Sequence, residues 1–539
     1  MLMRSASVRG AFRALFALGC ALGVACSAGE LSVLKRGEPS TPQPAARVSA
    51  TQPSPPGTAA PRAFYRLDRA QLGSTLDPPA GEELLPALSE QEAATTSPEY
   101  VKPSLISIAR ETFIYARPSF KAQKLGYLRV GAIVGRAEKP SGNEGCKRGW
   151  FRIQPEGYAC VDNTASLDTD DKTPFAELAR LRPDRMAALP YRYGRSRYPT
   201  PPLYTRLPNR LDQERSEIEI VGHLRARTSD AWQSVPSNVV PDSLRDGRSV
   251  PTPWGYFRQG NPLTTGRAMP DSGFALLGIY EHEGRRFALG TDFELLPLDR
   301  LKPVEPSRFH GLRLNEQVTL PVAFVRSRSA YLYSGEPKKT GLSIARKLDY
   351  REAVPLTGKE VIVSGARFLE TQTHDYIKDE NLVRVDRFRN KPGWATPGRS
   401  WLHVSVLQQS LVMYEGERPT YVTLVSTGVD GLGDPLETRS TIRGQFLVHT
   451  KHVSVTMDSD EQNDEFDLRD VPYVQYFTEG YALHAAYWHD AFGQPYSHGC
   501  VNLSPLDARA LFHMTDPPVP QAWHGAMSLR KGTLVHVTP

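Results

Sequence analysis

The 539-residue sequence has little net charge and no long apolar run, and both shortages restrict what the protein can be. It has 5 Cys, and 65 Lys and Arg against 59 Asp and Glu leave a formal net charge of +6. Such a mild excess is too diffuse for nucleic acid binding, so we expect no nucleic acid partner. The sequence also lacks a long apolar run, because the N-terminal one ends near Ala25 and is too short for a permanent membrane helix. By contrast, 45 Pro and 42 Gly favour turns and short strands, which predicts a mainly β protein.

The N-terminus has the features of an export signal. Basic residues precede the short apolar run, as in secretory signal peptides. The segment Gly23–Cys26 resembles a bacterial lipobox, which implies that residues 1–26 are a lipoprotein-type signal and that Cys26 carries a lipid anchor. Cys20 is a second lipidation candidate, and cleavage near Ala28 without lipid is a further alternative. These features predict an exported protein, anchored in a membrane at the periplasmic face of the cell envelope.

The rest of the chain is predicted to contain a linker and four folded segments. Residues 27–100 are rich in Pro and Ala and cannot bury enough apolar surface to order, so we expect a disordered tether. A weak repeat follows, with similar openings at Ile114–Pro118, Leu203–Pro208 and Leu332–Pro337, each succeeded by a strand pair. The predicted folded segments are 101–170, 171–305, 306–392 and 393–539.

The first folded segment resembles a bacterial Src-homology-three-like barrel, and all three upstream modules are expected to be small and β-barrel-like. Aromatic residues such as Tyr115, Trp150 and Tyr158 fill such a core or line a wall-binding groove, and core packing is the commoner role. Cys146 and Cys160 lie in the same module of an exported protein, so we predict a disulfide between them.

Cys500 is then the thiol without a predicted partner, and its neighbours indicate nucleophilic chemistry. A thiol needs to lose its proton to attack, and His498, two residues earlier, is a candidate general base for that step. Gly499 lies between them, and its unobstructed N–H is expected to help stabilise an oxyanion. These residues predict acyl transfer through a cysteine.

The segment Ser497–Asn502, with His484 upstream, resembles the signature of the L,D-transpeptidase catalytic domain. The resemblance extends from about Gly398 to Pro539 and implies a β-sandwich. It implies that Cys500 is the nucleophile, His498 the base and His484 a second imidazole that binds or polarises substrate. It also implies that Ser497 and Asn502 support the loop, and that neither a metal nor an organic cofactor is needed.

Several other residues have two interpretations at this stage. Tyr473 and Tyr476 line the substrate groove or fill the core, and His489 is expected to have a structural role. The acidic run Asp458–Glu465 lacks the ligand spacing of a calcium loop, so a solvated lid loop is the favoured interpretation.

The predicted function is 3→3 crosslinking of peptidoglycan stem peptides. If water accepts the acyl group, the same domain is an L,D-carboxypeptidase, and if a protein amine accepts it, the enzyme attaches proteins to the wall. A wall-binding scaffold is a further alternative. Zinc binding by His484, His489, His498 and Cys500 is another, although their spacing follows no common zinc pattern.

Overall fold

The computed structural model describes residues 103–169, 182–226, 232–246, 262–459, 465–528 and 530–539. Strands dominate these residues, which confirms the mainly β prediction. The predicted signal peptide with Cys26 and the predicted linker at 27–100 lie outside the described residues. In the part of the chain that is described, no helix is long and apolar enough to cross a membrane.

Seven short strands occupy residues 103–169. They are β1 (Ser104–Ser107), β2 (Thr112–Tyr115), β3 (Lys124–Leu128), β4 (Ile133–Gly135), β5 (Trp150–Arg152), β6 (Tyr158–Cys160) and β7 (Ala165–Ser166). One antiparallel sheet has the order β4-β1-β7, and the remaining strands pair in the order β3-β2-β6-β5. Cys160 at the end of β6 forms a disulfide with Cys146, which ties the loop before β5 to the sheet.

The second region combines a sheet with short helices. Its elements are β8 (Arg192–Ser196), β9 (Pro202–Tyr204), α1 (Arg210–Ser216), α2 (Ile220–Ala226), α3 (Asp242–Asp246), β10 (Thr264–Arg267), β11 (Gly273–His282), β12 (Arg285–Gly290), β13 (Leu295–Pro297), a 3-10 turn (Leu298–Arg300) and β14 (Leu301–Pro303). A buried ionic cluster links α1 to the sheet, because Arg285 pairs with Glu217 at 2.7 Å and with Asp299 at 2.8 Å. Each buried carboxylate thus has a guanidinium partner.

The third region is one antiparallel sheet with the order β18-β17-β21-β20-β19-β16-β22. Its strands are β16 (Val322–Val325), β17 (Tyr331–Glu336), β18 (Gly341–Lys347), β19 (Ala353–Val363), β20 (Ala366–Thr371), β21 (Tyr376–Lys378) and β22 (Leu382–Val385), with a 3-10 turn at Asp379–Asn381. A short strand before it, β15 (Leu312–Arg313), instead pairs with the C-terminal domain through Leu312 and Val422.

The C-terminal domain is a two-sheet sandwich. Its elements are β23 (Ser400–Ser405), β24 (Ser410–Glu415), β25 (Arg418–Leu424), β26 (Gly444–Leu447), β27 (Thr450–Ser459), β28 (Phe466–Thr478), β29 (Tyr481–Ala485), β30 (Val501–Leu503), α4 (Pro505–Met514), β31 (Gly525–Met527) and β32 (Leu534–Thr538). One sheet has the order β25-β24-β23-β32-β26, and the other has the order β31-β27-β28-β29-β30. Apolar side chains of both sheets form one buried core, which includes Leu402, Val404, Val453, Leu483 and Val501.

Helix α4 is fixed at both ends by side chains. The Ser504 hydroxyl accepts the Asp507 N–H at 3.1 Å, and Pro505 occupies the first turn, where its missing N–H is harmless. At the other end, the buried Lys451 side-chain nitrogen donates to the carbonyls of Phe512 at 2.5 Å and Thr515 at 2.6 Å. Burial lowers the pKa of Lys451 to about 7, and its hydrogen bonds satisfy the terminal carbonyls of the helix directly after β30.

The expected small barrels are not formed among the described residues, because the first region gives its strand β3 to the C-terminal sheet. Tyr127 of β3 pairs with Gly525 of β31, and Gly126 pairs with Ala526. A Cβ at Gly126 would collide with the carbonyl of Gly525, so glycine permits this close approach. The sheet therefore runs continuously from the first region into the C-terminal domain.

Two adjacent residues of β28 bind the two upstream regions through ion pairs. Asp470 is fully buried and pairs with Arg110 and Arg129 of the first region. These guanidinium groups hold the pKa of the Asp470 carboxyl well below its usual range, against the opposing effect of burial. Arg469 pairs with Asp292 at 2.6 Å and with Glu294 at 3.0 Å in the second region.

Candidate active site

The parallel pairing of β29 and β30 places Cys500, directly before β30, at the edge of the strand that carries His484. In this pairing Leu483 is opposite Val501, and His484 is opposite Asn502. Since side chains alternate along a strand, Cys500 and Asn502 project to the same face, next to Ala482 and His484. The Cys500 thiol is half-buried and donates to the carbonyl of Gly480 at 3.6 Å.

Burial determines the ionisation of the nucleophile candidate. Desolvation raises the pKa of the Cys500 thiol to about 11, and a hydrogen bond from the Ala482 backbone opposes this shift. The thiol is therefore protonated at neutral pH. Its proton has to leave during attack, which requires a nearby base.

The Ser497 side chain fixes the turn before Cys500. Its hydroxyl accepts the Gly499 N–H at 3.1 Å and donates to the Cys500 carbonyl at 2.5 Å. The Gly499 N–H, expected to be available to an oxyanion, is thus already engaged. Gly499 has a φ of +124°, and a Cβ there would lie 2.9 Å from the Tyr481 ring, so a side chain at this position is excluded.

Thr441 supports the same turn from a distant segment, and it was missed at the sequence level as a site residue. Its hydroxyl donates to the Gly499 carbonyl at 2.8 Å and accepts the Gly428 N–H at 2.9 Å. Tyr481 contributes as well, because its hydroxyl donates to the Pro435 carbonyl at 3.0 Å. Neither contact has a local sequence signal, since the partners lie far apart along the chain.

The two expected site imidazoles have different environments. His484 is buried, and its Nδ1 lies 3.2 Å from the Ala485 carbonyl, which can only accept, so Nδ1 carries the proton and Nε2 keeps its lone pair. Desolvation lowers the pKa of His484 to about 4, so the ring is neutral at neutral pH. His498 is exposed, and its ring centroid lies 5.6 Å from that of Phe466.

His489 is bonded to Asn502, in line with the structural role expected for it. Its Nδ1 accepts the Ala491 N–H at 3.1 Å, so the neutral ring carries its proton on Nε2. That nitrogen lies 2.9 Å from the side-chain amide nitrogen of Asn502 as placed, while Asn502 Oδ1 is buried without a partner. Exchanging the two amide atoms satisfies the pair, because the amide oxygen then accepts the Nε2 proton. The Asn502 backbone also pairs with Ser426 in both directions at 2.9 Å.

The two predicted groove tyrosines are placed differently. Tyr473 is fully buried in the sandwich core, and its hydroxyl donates to the carbonyls of Ala187 and Arg185, which favours the packing interpretation. Tyr476 is half-buried and packs against the same apolar cluster as Cys500.

The second upstream region lies against the same face of the sheet as Cys500. The cluster that Cys500 contacts includes Tyr191, Tyr193 and Tyr487. The rings of Tyr193 and Tyr487 lie 4.5 Å apart, and Trp488 is 5.2 Å from Tyr487 and 5.7 Å from His484. Upstream residues are therefore part of the surroundings of the candidate site.

The zinc and calcium sites considered as alternatives have no assembled set of ligands in the described ranges. No group of three or more His, Cys, Asp or Glu side chains is placed there to hold an ion. Most of the acidic run, residues 460–464, lies outside the described residues.

The described residues thus place a half-buried thiol at the edge of one sheet, directly after a glycine turn. Residues 399–537 match the L,D-transpeptidase catalytic domain, the YkuD family. A comparison with curated proteins gave no match.

Solved structures of L,D-transpeptidases are similar to this domain. One from Stackebrandtia nassauensis is 26% identical, with 26% of this chain and 56% of that chain covered and a TM-score of 0.19. One from Enterococcus faecium is 19% identical, with 26% and 50% covered and a TM-score of 0.20. L,D-transpeptidase 3 from Mycobacterium tuberculosis is 18% identical, with 34% and 79% covered and a TM-score of 0.21. This chain spans about half the length of the first two.

Proposed function

We propose that this protein is a peptidoglycan L,D-transpeptidase that forms 3→3 crosslinks through an acyl-enzyme on Cys500. The observation that supports the proposal is the position of Cys500, which directly precedes the strand paired with β29, within a segment that matches the L,D-transpeptidase catalytic domain. The substrate class follows from that family and from the predicted export of the chain.

In the first step, Cys500 Sγ attacks the carbonyl of the third residue of a tetrapeptide stem. The bond to the terminal D-Ala breaks, and a thioester forms. The thiol proton passes to an imidazole and then to the departing D-Ala amine, so the imidazole ends as it began.

Two histidines are candidates for that base. The sequence pattern favours His498. The hydrogen bonding favours His484, because its Nδ1–H is held by the Ala485 carbonyl and its Nε2 is left with a lone pair on the face shared with Cys500. With the pKa of the thiol near 11 and that of His484 near 4, the neutral pair predominates at rest and proton transfer accompanies attack.

In the second step, an amine resolves the thioester. The side-chain amine of diaminopimelate on a neighbouring stem attacks the acyl carbon, the C–S bond breaks, and Cys500 regains its proton. Water in place of the amine gives a tripeptide and defines an L,D-carboxypeptidase, and a protein amine gives wall attachment.

The test uses the purified mature chain with tetrapeptide muropeptides, and products are identified by mass. We expect a 3→3 dimer with release of D-Ala from the wild type, and no product from Cys500→Ala or Cys500→Ser. Retained turnover in either variant would falsify the proposal, and tripeptide alone would replace crosslinking by carboxypeptidase activity. His484→Gln and His498→Gln, compared in the same assay, identify the base by the larger loss of kcat.

A penem probe gives a second readout of the nucleophile. A structure of the Mycobacterium tuberculosis enzyme holds a faropenem-derived adduct. We expect intact-mass detection of a faropenem adduct on this protein, and peptide mapping should locate it at Cys500. An adduct at another residue would contradict the assignment.

We also propose that the chain is exported and anchored through lipidated Cys26, which places the domain beside the wall. The support is the N-terminal sequence pattern alone. Incorporation of labelled palmitate should be lost in Cys26→Ala and kept in Cys20→Ala. Incorporation that depends on Cys20 instead would move the anchor to that residue.

A further inference from the structure

The loop of residues 486–496 connects β29 to the Cys500 turn. A side chain from outside the C-terminal domain forms hydrogen bonds with this loop. Arg351, in the turn before β19 of the third region, donates to both carboxylate oxygens of Asp490, at 2.8 and 2.5 Å. It also donates to the Asp490 carbonyl at 3.3 Å. A two-pronged guanidinium–carboxylate pair fixes orientation as well as distance.

Aromatic stacking supports the same contact. The Arg351 guanidinium lies 4.9 Å from the Phe309 ring and 5.9 Å from the Phe492 ring. Phe309 and Phe492 are stacked, with centroids 6.0 Å apart and an interplanar angle of 21°. Ser307 adds a hydrogen bond of 2.5 Å to Asp490 Oδ1. Residues 490 and 492 of the loop are therefore both held by residues upstream of the domain.

The backbone at Arg351 is also specialised for this contact. Arg351 has a φ of +65°, a left-handed conformation that non-glycine residues rarely adopt. Its N–H donates to the Val325 carbonyl at 2.7 Å, which helps to hold the turn. Its side chain is 10% exposed, whereas that of Asp490 is 55% exposed, so the turn presents a largely buried cation to the loop.

Asp490 is connected to the region of Cys500 through His489 and Asn502. His489 is the neighbouring residue and is paired with the Asn502 side chain at 2.9 Å. Asn502 is two residues after Cys500, and its backbone is paired with Ser426. A continuous chain of contacts therefore connects Asp490, through His489, to the strand that begins beside Cys500.

We propose that Arg351 is a positioning residue for Cys500, an inference that rests on the proposed transpeptidase function. By fixing Asp490, Arg351 sets His489 against Asn502 and keeps the thiol at its attacking distance. Arg351 touches neither the thiol nor the acyl group, so its loss affects the chemical step and leaves substrate binding nearly unchanged.

The experiment uses the mature full chain with Arg351→Gln, Arg351→Lys, Asp490→Asn and the double variant R351Q/D490N. The matched control is Arg346→Gln, which breaks an ion pair with Glu352 in the same region, without contact to the loop among the described hydrogen bonds. Tetrapeptide turnover gives kcat and KM separately, faropenem acylation gives a second rate, and thermal unfolding checks the fold.

We expect kcat of R351Q to fall about tenfold with KM within about twofold of wild type. R351K should recover part of the loss, and the double variant should be no slower than either single variant, because both remove one contact. Arg346→Gln should keep wild-type turnover. Wild-type kcat in R351Q, additive losses in the double variant, or an equal loss in R346Q would overturn the inference.

Failure of the proposed function has a different signature. If the wild-type chain gives no product, the transpeptidase assignment is wrong. Iodoacetamide alkylation of Cys500 then tests separately whether Arg351 positions the thiol. We expect faster alkylation in R351Q, because a loosened loop admits water and reagent to the thiol. Equal alkylation rates in wild type and R351Q would refute the positioning role.

Discussion

Thr441 Oγ1 donates to the carbonyl oxygen of Gly499 at 2.8 Å, although 58 positions separate the two residues. The bond joins the segment before β26 to the turn that carries Cys500. Its effect on reactivity can be measured with a nearly isosteric change.

Thr441→Val should slow faropenem acylation of Cys500 while the domain stays folded. Valine removes the donor to Gly499 and leaves the Gly428 N–H without its acceptor, which costs about 1–3 kcal/mol of stability. Acylation rates and chemical denaturation measure the two effects. The control is Thr438→Val, which removes a hydroxyl that forms hydrogen bonds with Asp434 and Ser440 within the same segment. Equal acylation in the two variants would contradict the role of Thr441.

Alkylation of Cys500 should report the raised pKa of its thiol. Because burial shifts that pKa to about 11, the rate with iodoacetamide should keep rising from pH 7 to about pH 10 in the folded protein. In denaturant the rate should level off above the ordinary thiol pKa of about 8.5. A folded-state profile that levels off below pH 8 would show a thiolate already formed at rest.

Asp470→Asn should strongly destabilise the protein. The substitution leaves the buried guanidinium group of Arg129 without its carboxylate, while Arg110 keeps Asp292, and breaking a buried pair costs about 3–5 kcal/mol. The matched control is Asp271→Asn, because Asp271 pairs with Arg195 while its side chain is 78% exposed, and such pairs contribute about 0–1 kcal/mol. The free energy of unfolding in urea measures both. A similar loss of unfolding free energy in the two variants would argue against a stabilising role for the buried ion pairs of Asp470.

Acidification should destabilise the fold through buried histidines. Burial lowers the pKa of His452 to about 3 and that of His484 to about 4, from ordinary values of 6.5. The folded state keeps these rings neutral while the unfolded state takes up protons. Their contribution is therefore complete above pH 6.5 and is lost as pH falls towards 3, by up to about 1.4 kcal/mol per pH unit for each ring.

His452→Gln should reduce that acid sensitivity. The free energy of unfolding, measured between pH 7 and pH 4.5, should fall less steeply in this variant than in wild type. His310→Gln, at an exposed site with no ion pair among the described residues, is the control and should leave the slope unchanged. An identical slope in wild type and His452→Gln would exclude this ring as a source of the acid sensitivity.

Local patterns predicted the features that depend on neighbouring residues. The content of Pro and Gly indicated strands, and the run Ser497–Asn502 indicated the family that residues 399–537 match, whereas the role of Cys500 as nucleophile stays a prediction. Short spacing also predicted the cysteine pair, which forms the disulfide between Cys146 and Cys160.

Long-range contacts could not be predicted in this way. The turn at Gly499 was expected to offer its N–H, but the Ser497 hydroxyl bends back to accept it. Separate barrels were expected upstream, yet β3 pairs with β31 across about 400 residues of sequence, and nothing in either strand marks its partner. Burial likewise separates Tyr473 from Tyr476, although both belong to one strand.

The pairing of β3 with β31 has a practical consequence for anyone who shortens the chain. A fragment that starts at residue 399 keeps every strand of the family match, yet it removes the neighbour that covers Gly525–Met527. The uncovered N–H and C=O groups of that strand would then template pairing between fragments. Self-association of such a fragment would therefore reflect where it was cut, and not the behaviour of the intact protein.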